Sequence, residues 1–193
     1  MNPLTAPSRA EAEWFAVGLA SSFPDLGSDD GNLAKPRICK GEATPGCKVF
    51  HVPRTDSSRG TQVPVAADSF ETREGRRGGL KEQVLVFRYK GKFHAVDHQC
   101  PHSSFPLSQG IPFDIEDFGV VLSSGLMCPK HDWSFDLFTG TSDRGNYKLG
   151  VWEVQLREVG GEGRTISREE VDAGVETACT DKEVWVRRKQ RIG

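Results

Sequence analysis

With 193 residues the chain can hold one domain with a substantial core, or at most two very small ones, and one domain is expected. Its 36% apolar and 27% charged residues fit a soluble globular protein, and a formal net charge of -2 gives neither nucleic acid nor an anionic membrane a matching field. No run approaches the ~18 apolar residues of a membrane span, "MNPLTAPSRAEAEWF" does not open like a secretory leader, and five cysteines are too few and odd in number for a disulfide framework, so reduced thiols in the cytoplasm are expected.

In chain order the first element is ambiguous. "SRAEAEWFAVGLASSF" places Ser8 and Glu11 at capping-box spacing, as a helix would, while "EWFAVGLA" also reads as a strand from Trp14 with Trp14 and Ala16 on one face. The strand reading is preferred. Apolar and polar residues then alternate in short runs at 47–52, 83–89, 92–97, 118–127, 150–156 and 183–187, the pattern of half-buried strands. Gly91 in "RYKGKF" joins the second and third of these as a hairpin. Three intervening stretches, about 28–46, 54–82 and 158–182, are rich in Gly, Ser, Pro and charge and read as loop excursions, with "SREE" at 167–170 as one helical turn. No long 3.6-residue period occurs, so the chain reads as all-β.

Two segments carry chemistry. "HQCPHSSFPLSQG" holds Cys100 and His102, and "LMCPKHDWSFDLFTG" holds Cys128 and His131. Two thiolates with two neutral imidazoles suit zinc or iron-sulfur chemistry, because soft sulfur selects those metals over hard cations. Strand alternation would send Cys100 and His102 to one face, and Pro101 and Pro129 stiffen the two loops by fixing φ. Two unrelated buried thiols are the bland alternative, which the repeated Cys-Pro-His grouping disfavours.

These motifs resemble those of the Rieske iron-sulfur family, C-x-H followed by C-x-x-H, and "WSFDLFTG" looks like the segment that follows the second motif in Rieske ferredoxins and oxygenase domains. The resemblance covers about residues 83–156, and "KEVWVRR" is similar to the closing strand. It implies an antiparallel β-sandwich or barrel base with an inserted cluster-binding subdomain at about 98–140 in a single domain, 1–193. It also implies a 2Fe-2S cluster with Cys100 and Cys128 on one iron and His102 and His131 on the other, the histidine iron nearer the surface. This sequence departs from the family in a long stretch between motifs, 103–127, in which "GIPFDIEDFG" reads as a lengthened loop projecting outside the cluster shell. It also has Phe105 and Lys130 where respiratory members carry a disulfide, which favours the ferredoxin and oxygenase branch. High-potential members carry Ser and Tyr two and four residues after the second histidine. Here those positions are Trp133 and Phe135, which offer no hydroxyl, so a low-potential centre is expected, with Ser134 as a possible donor.

The expected role is a soluble Rieske-type electron carrier between a reductase and an acceptor such as an oxygenase. No histidine follows His131 to build a second iron site; His51, His94 and His98 all precede the first motif, and His94 and His98, flanking an expected strand, read as surface or packing groups. "GGEGRT" lacks the full dinucleotide fingerprint, so no reductase chemistry and no catalytic residue is assigned. A Rieske component of a larger oxidoreductase, a redox sensor and a structural zinc protein on the same four residues are the alternatives. Cys39, Cys47 and Cys179 read as separate thiols, and "RRKQR" as a solvated basic tail.

Overall fold

Gln83 to Tyr89 has only one residue that is not buried, Arg88, and that fact organises the molecule. The protein is known here as a computed structural model that describes residues 13–27, 31–39, 41–54, 56, 58–65, 79–159, 165–166 and 181–189. Ser8 and Glu11, residues 160–164 and 167–170, Cys179 and the last residues of the basic tail lie outside them.

The strands in chain order are β1 (Phe15–Leu19), β2 (Pro36–Cys39), β3 (Glu42–Pro45), β4 (Cys47–His51), β5 (Thr61–Val63), β6 (Gln83–Tyr89), β7 (Lys92–Asp97), β8 (Ile111–Asp117), β9 (Val120–Cys128), β10 (Trp133–Asp136), β11 (Trp152–Glu158), β12 (Thr165–Ile166) and β13 (Lys182–Arg188). They form antiparallel sheets in the orders β1-β13-β11-β12, β5-β4-β6-β7, β10-β9-β8 and β2-β3. The all-β expectation holds, with three short 3-10 turns among the described residues. None of these helical turns is long and apolar enough to cross a membrane.

The sheet containing β6 is the middle layer. On one face Val84 and Val86 meet Phe15, Val17, Phe50, Trp152, Val184 and Val186 of the base, where Phe15 stands edge-on to Phe50 and Trp152 at 6.2 and 6.4 Å. On the other face Leu85, Phe87 and Tyr89 pack against Leu107, Leu126, Phe135, Leu137 and Leu149. Period-2 alternation sends neighbours to opposite faces, so a strand buried on both reads as a continuous apolar run. The edge of β7 meets the chain entering β11 through the bridge Val96↔Val151 and the bond from the Asp97 N–H to the Gly150 carbonyl at 2.8 Å. The sandwich therefore closes partway toward a barrel.

Residues 98–150 leave the base between β7 and β11 and build the lobe around β8, β9 and β10. Its anchors include the His98 N–H to the Gln83 carbonyl at 2.9 Å, the Tyr89 hydroxyl to Asp114 at 3.0 Å and the Lys90–Asp114 ion pair.

Several expectations need correction. The 28–46 stretch contains the hairpin β2-β3, with Gly41 in its turn at φ 85°, because turn-forming composition marked a hairpin as well as a loop. The 54–82 and 158–182 stretches contribute β5 and β12. "GIPFDIEDFG" is not a loop: it contains β8, paired along its length with β9, and Phe118-Gly119 forms the connecting turn with φ 47° and 78°. The tip does project, with Phe118 fully exposed and Val120, Val121 and Leu122 beside it. Arg187 of the basic stretch pairs with Glu153 and is not simply solvated.

Candidate metal centre

The two motif loops close in the same way. The Ser104 N–H donates to the Cys100 carbonyl at 2.9 Å, and the Asp132 N–H donates to the Cys128 carbonyl at 3.0 Å. Each closing residue is left-handed, Ser104 at φ 54° and Asp132 at φ 56°. Asp reaches that region more readily than most side chains because its short polar group bonds locally. Cys100 therefore reaches the site from a turn and not from the strand alternation expected of it; Cys128 is the last residue of β9. Behind the second loop Gly140 adopts φ 74°, and a Cβ there would meet the Leu149 carbonyl oxygen at 2.1 Å, so only glycine lets the chain turn back beneath the site.

The loops bring four expected side chains together as two pairs. Cys100 and Cys128 are 0% and 1% exposed and are free thiols in hydrogen-bond contact. The bond from the Cys128 thiol pulls Cys100 down to about 5, against the opposing effect of burial, while the same bond pushes Cys128 up. Above them the His102 and His131 rings lie 5.1 Å apart at 73°, His102 half-buried and His131 exposed. Among the described residues no three His, Cys, Asp or Glu side chains gather closely enough to hold one metal ion.

Aromatic and cationic groups hold the imidazoles. His102 stacks on Trp133 at 4.4 Å and 24°, with Tyr147 edge-on at 5.2 Å. Arg144 lies over Trp133 at 5.1 Å and donates to the carbonyls of His131 and Asp132 at 3.0 and 2.6 Å. Sequence reasoning missed Arg144 and Tyr147, whose separation from the motifs gives no periodic signal. It also missed Ser103, whose hydroxyl lies 3.8 Å from the Cys128 sulfur. Phe105 and Lys130 occupy the positions that a disulfide would need, and Phe135 is fully buried beneath the site.

The remaining candidates fall outside. His98 is buried between Gln83 and Ser108 at 2.8 and 2.9 Å, and His94 stacks on Phe87 at 5.6 Å, so both pack the core as expected. His51 faces Glu82 at 3.4 Å. Cys39 donates to the Ser21 carbonyl at 3.4 Å, while burial pushes the Cys47 thiol up to about 12.

The donor set suits an iron-sulfur group with two kinds of iron. The sulfurs share one buried end, the imidazoles share the outer end, and the buried Nδ1 of His102 has no hydrogen-bond partner, as a nitrogen reserved for a metal would. Comparison with known proteins agrees. The Rieske [2Fe-2S] domain family matches residues 61–148. A Rieske domain-containing protein of Homo sapiens is 41% identical over 58 residues, which are 30% of this chain and 34% of that protein. The ferredoxin component of an alkene monooxygenase system of Xanthobacter autotrophicus is 35% identical over 60 residues, 31% of this chain and 43% of that protein. The ferredoxin subunit of 3-phenylpropionate/cinnamic acid dioxygenase of Photorhabdus laumondii is 39% identical over 57 residues, 30% of this chain and 47% of that protein. The chain thus spans less than half the length of these relatives. Residues 61–148, a little under half of the chain, are thus similar to the Rieske [2Fe-2S] domain, and the cofactor that this segment supports is a Rieske-type 2Fe-2S cluster.

Proposed function

We propose that the chain is a soluble, cytoplasmic, single-domain electron carrier that passes single electrons from a reductase to an acceptor such as an oxygenase. One observation carries this reading: a buried thiol pair beneath a more exposed imidazole pair, inside the segment that matches the Rieske domain. Cys100 and Cys128 hold one iron, and His102 and His131 hold the other. The cluster, when bound, accepts and releases one electron at a time.

The residues of this chain do the rest. Leu107, Leu126 and Phe135 shield the cysteine end from water. The Trp133 stack fixes the plane of His102, and exposed His131 marks the side that a partner approaches. Two of the relatives are named as ferredoxin components of oxygenase systems, which supports an oxygenase as acceptor. Trp133 and Phe135 place hydrocarbon where hydroxyl donors would stabilise the reduced cluster, so the potential is low.

EPR on the dithionite-reduced protein tests the ligand set. Equimolar iron and acid-labile sulfide with the mixed Cys/His signal are expected, and His102→Cys should shift that signal toward the all-cysteine type. A colourless zinc protein, or a His102→Cys spectrum unchanged from the parent, overturns the reading.

A further inference from the structure

The potential-tuning hydroxyl of this site sits on the first loop. Trp133 and Phe135 leave the second loop without one at the positions where high-potential Rieske members carry it, yet Ser103 Oγ lies 3.8 Å from Cys128 Sγ, across the site from its own loop. The same hydroxyl also bonds the Cys100 sulfur, and the loop has little freedom to aim it away from the sulfur end of the site. Ser104 is left-handed and bonded to the Cys100 carbonyl, the Cys100 N–H donates to the Phe105 carbonyl at 2.9 Å, and neighbouring His102 is stacked on Trp133.

Resting on the cluster reading above, we infer that Ser103 raises the reduction potential of the cluster by donating its hydroxyl proton to the sulfur of Cys128. A cysteine sulfur bound to iron is an acceptor only, so the hydroxyl must be the donor. Its bond strengthens as the acceptor gains negative charge, which stabilises the reduced form over the oxidised one. The sulfur is 1% exposed, so water does not compete for it. Ser103 is a positioning residue: it sets the potential of the centre without ligating it.

The test compares the wild-type protein with Ser103→Ala, Ser103→Val and Ser103→Thr by iron and sulfide content, EPR and protein-film voltammetry. Removing the hydroxyl in Ala and Val should weaken reduction about tenfold, ~59 mV for a one-electron couple. Thr, equal in shape to Val, should restore the wild-type potential with the Rieske EPR signal intact. That matched pair decides the matter even where Ala loosens the loop. Four equal potentials, or Thr following Val, overturn the role of Ser103 while leaving the cluster in place. A wild-type protein without the mixed-ligand signal overturns the cluster reading and this role with it.

Discussion

Strands β6 and β9 show two ways of holding a functional protein together. In β6, buried residues alternate between two apolar layers, and the strand is fixed by what it packs against on both faces. β9 begins exposed at Val120, Val121 and Leu122 and ends buried at Cys128, so its burial increases toward the site. The loops at that end rely on left-handed closing residues and leave the buried Nδ1 of His102 without a hydrogen-bond partner. The base is therefore expected to hold its shape without the cluster, and the motif loops to depend on it.

Cys128→Ser breaks that comparison most sharply. A serine oxygen does not replace thiolate on iron, so iron and sulfide should fall from equimolar with each other to near zero, because one pair of the clamp has lost a member. Hydrogen exchange should then show the Ser104 and Asp132 amides losing protection while the β6 amides keep theirs. Equal loss in both would mean that the base also depends on the cluster.

Two phenylalanines sharpen the same contrast on the energy scale. Phe87 is fully buried in the layer between β6 and the lobe, and Phe118 is fully exposed at the β8-β9 tip. Phe87→Ala should cost about 3–5 kcal/mol in urea unfolding. Phe118→Ser should stay within about 0.5 kcal/mol. Similar costs for the two would show that the tip is packed against something in solution.

What could be read from the sequence follows the same division. β4, β6, β7, β11 and β13 were legible to within two residues, because burial forces apolar residues into a regular order. β1 was legible as well: Phe15 and Val17 turn inward, and Ala16 faces out. The pairs β2-β3 and β8-β9 escaped in part. β2 and β3 are short and largely exposed, and β8 carries no buried position, so neither imposes a pattern. The four donor residues stood out because their chemistry is rare in combination. The left-handed Ser104 and Asp132, and Arg144 and Tyr147 above the imidazoles, did not, because their roles depend on backbone closure and spatial contact that spacing does not encode.

The smallest effect tests the seam inside the base, where the chain leaves for the lobe and returns from it. Asp97 closes β7 against β11, accepting from Trp152 Nε1 at 2.8 Å. Burial raises its pKa, and the Trp152 bond with the charges of Arg188 and Arg54 opposes the rise only in part. A carboxyl whose pKa is higher folded than unfolded keeps its proton longer in the native state. Its contribution is therefore fully present below the unfolded value, ~3.9, and is lost as pH rises through the folded value. Asp97→Asn retains an oxygen for the Trp152 N–H and removes the buried charge. The variant should gain stability over the parent as pH rises from ~4 toward ~7, with the difference vanishing at the acid end. Urea midpoints for both proteins across that range decide it. A difference that does not change with pH would show that Asp97 acts on the seam through shape alone, and that the two sheets of the base meet there without an electrostatic cost.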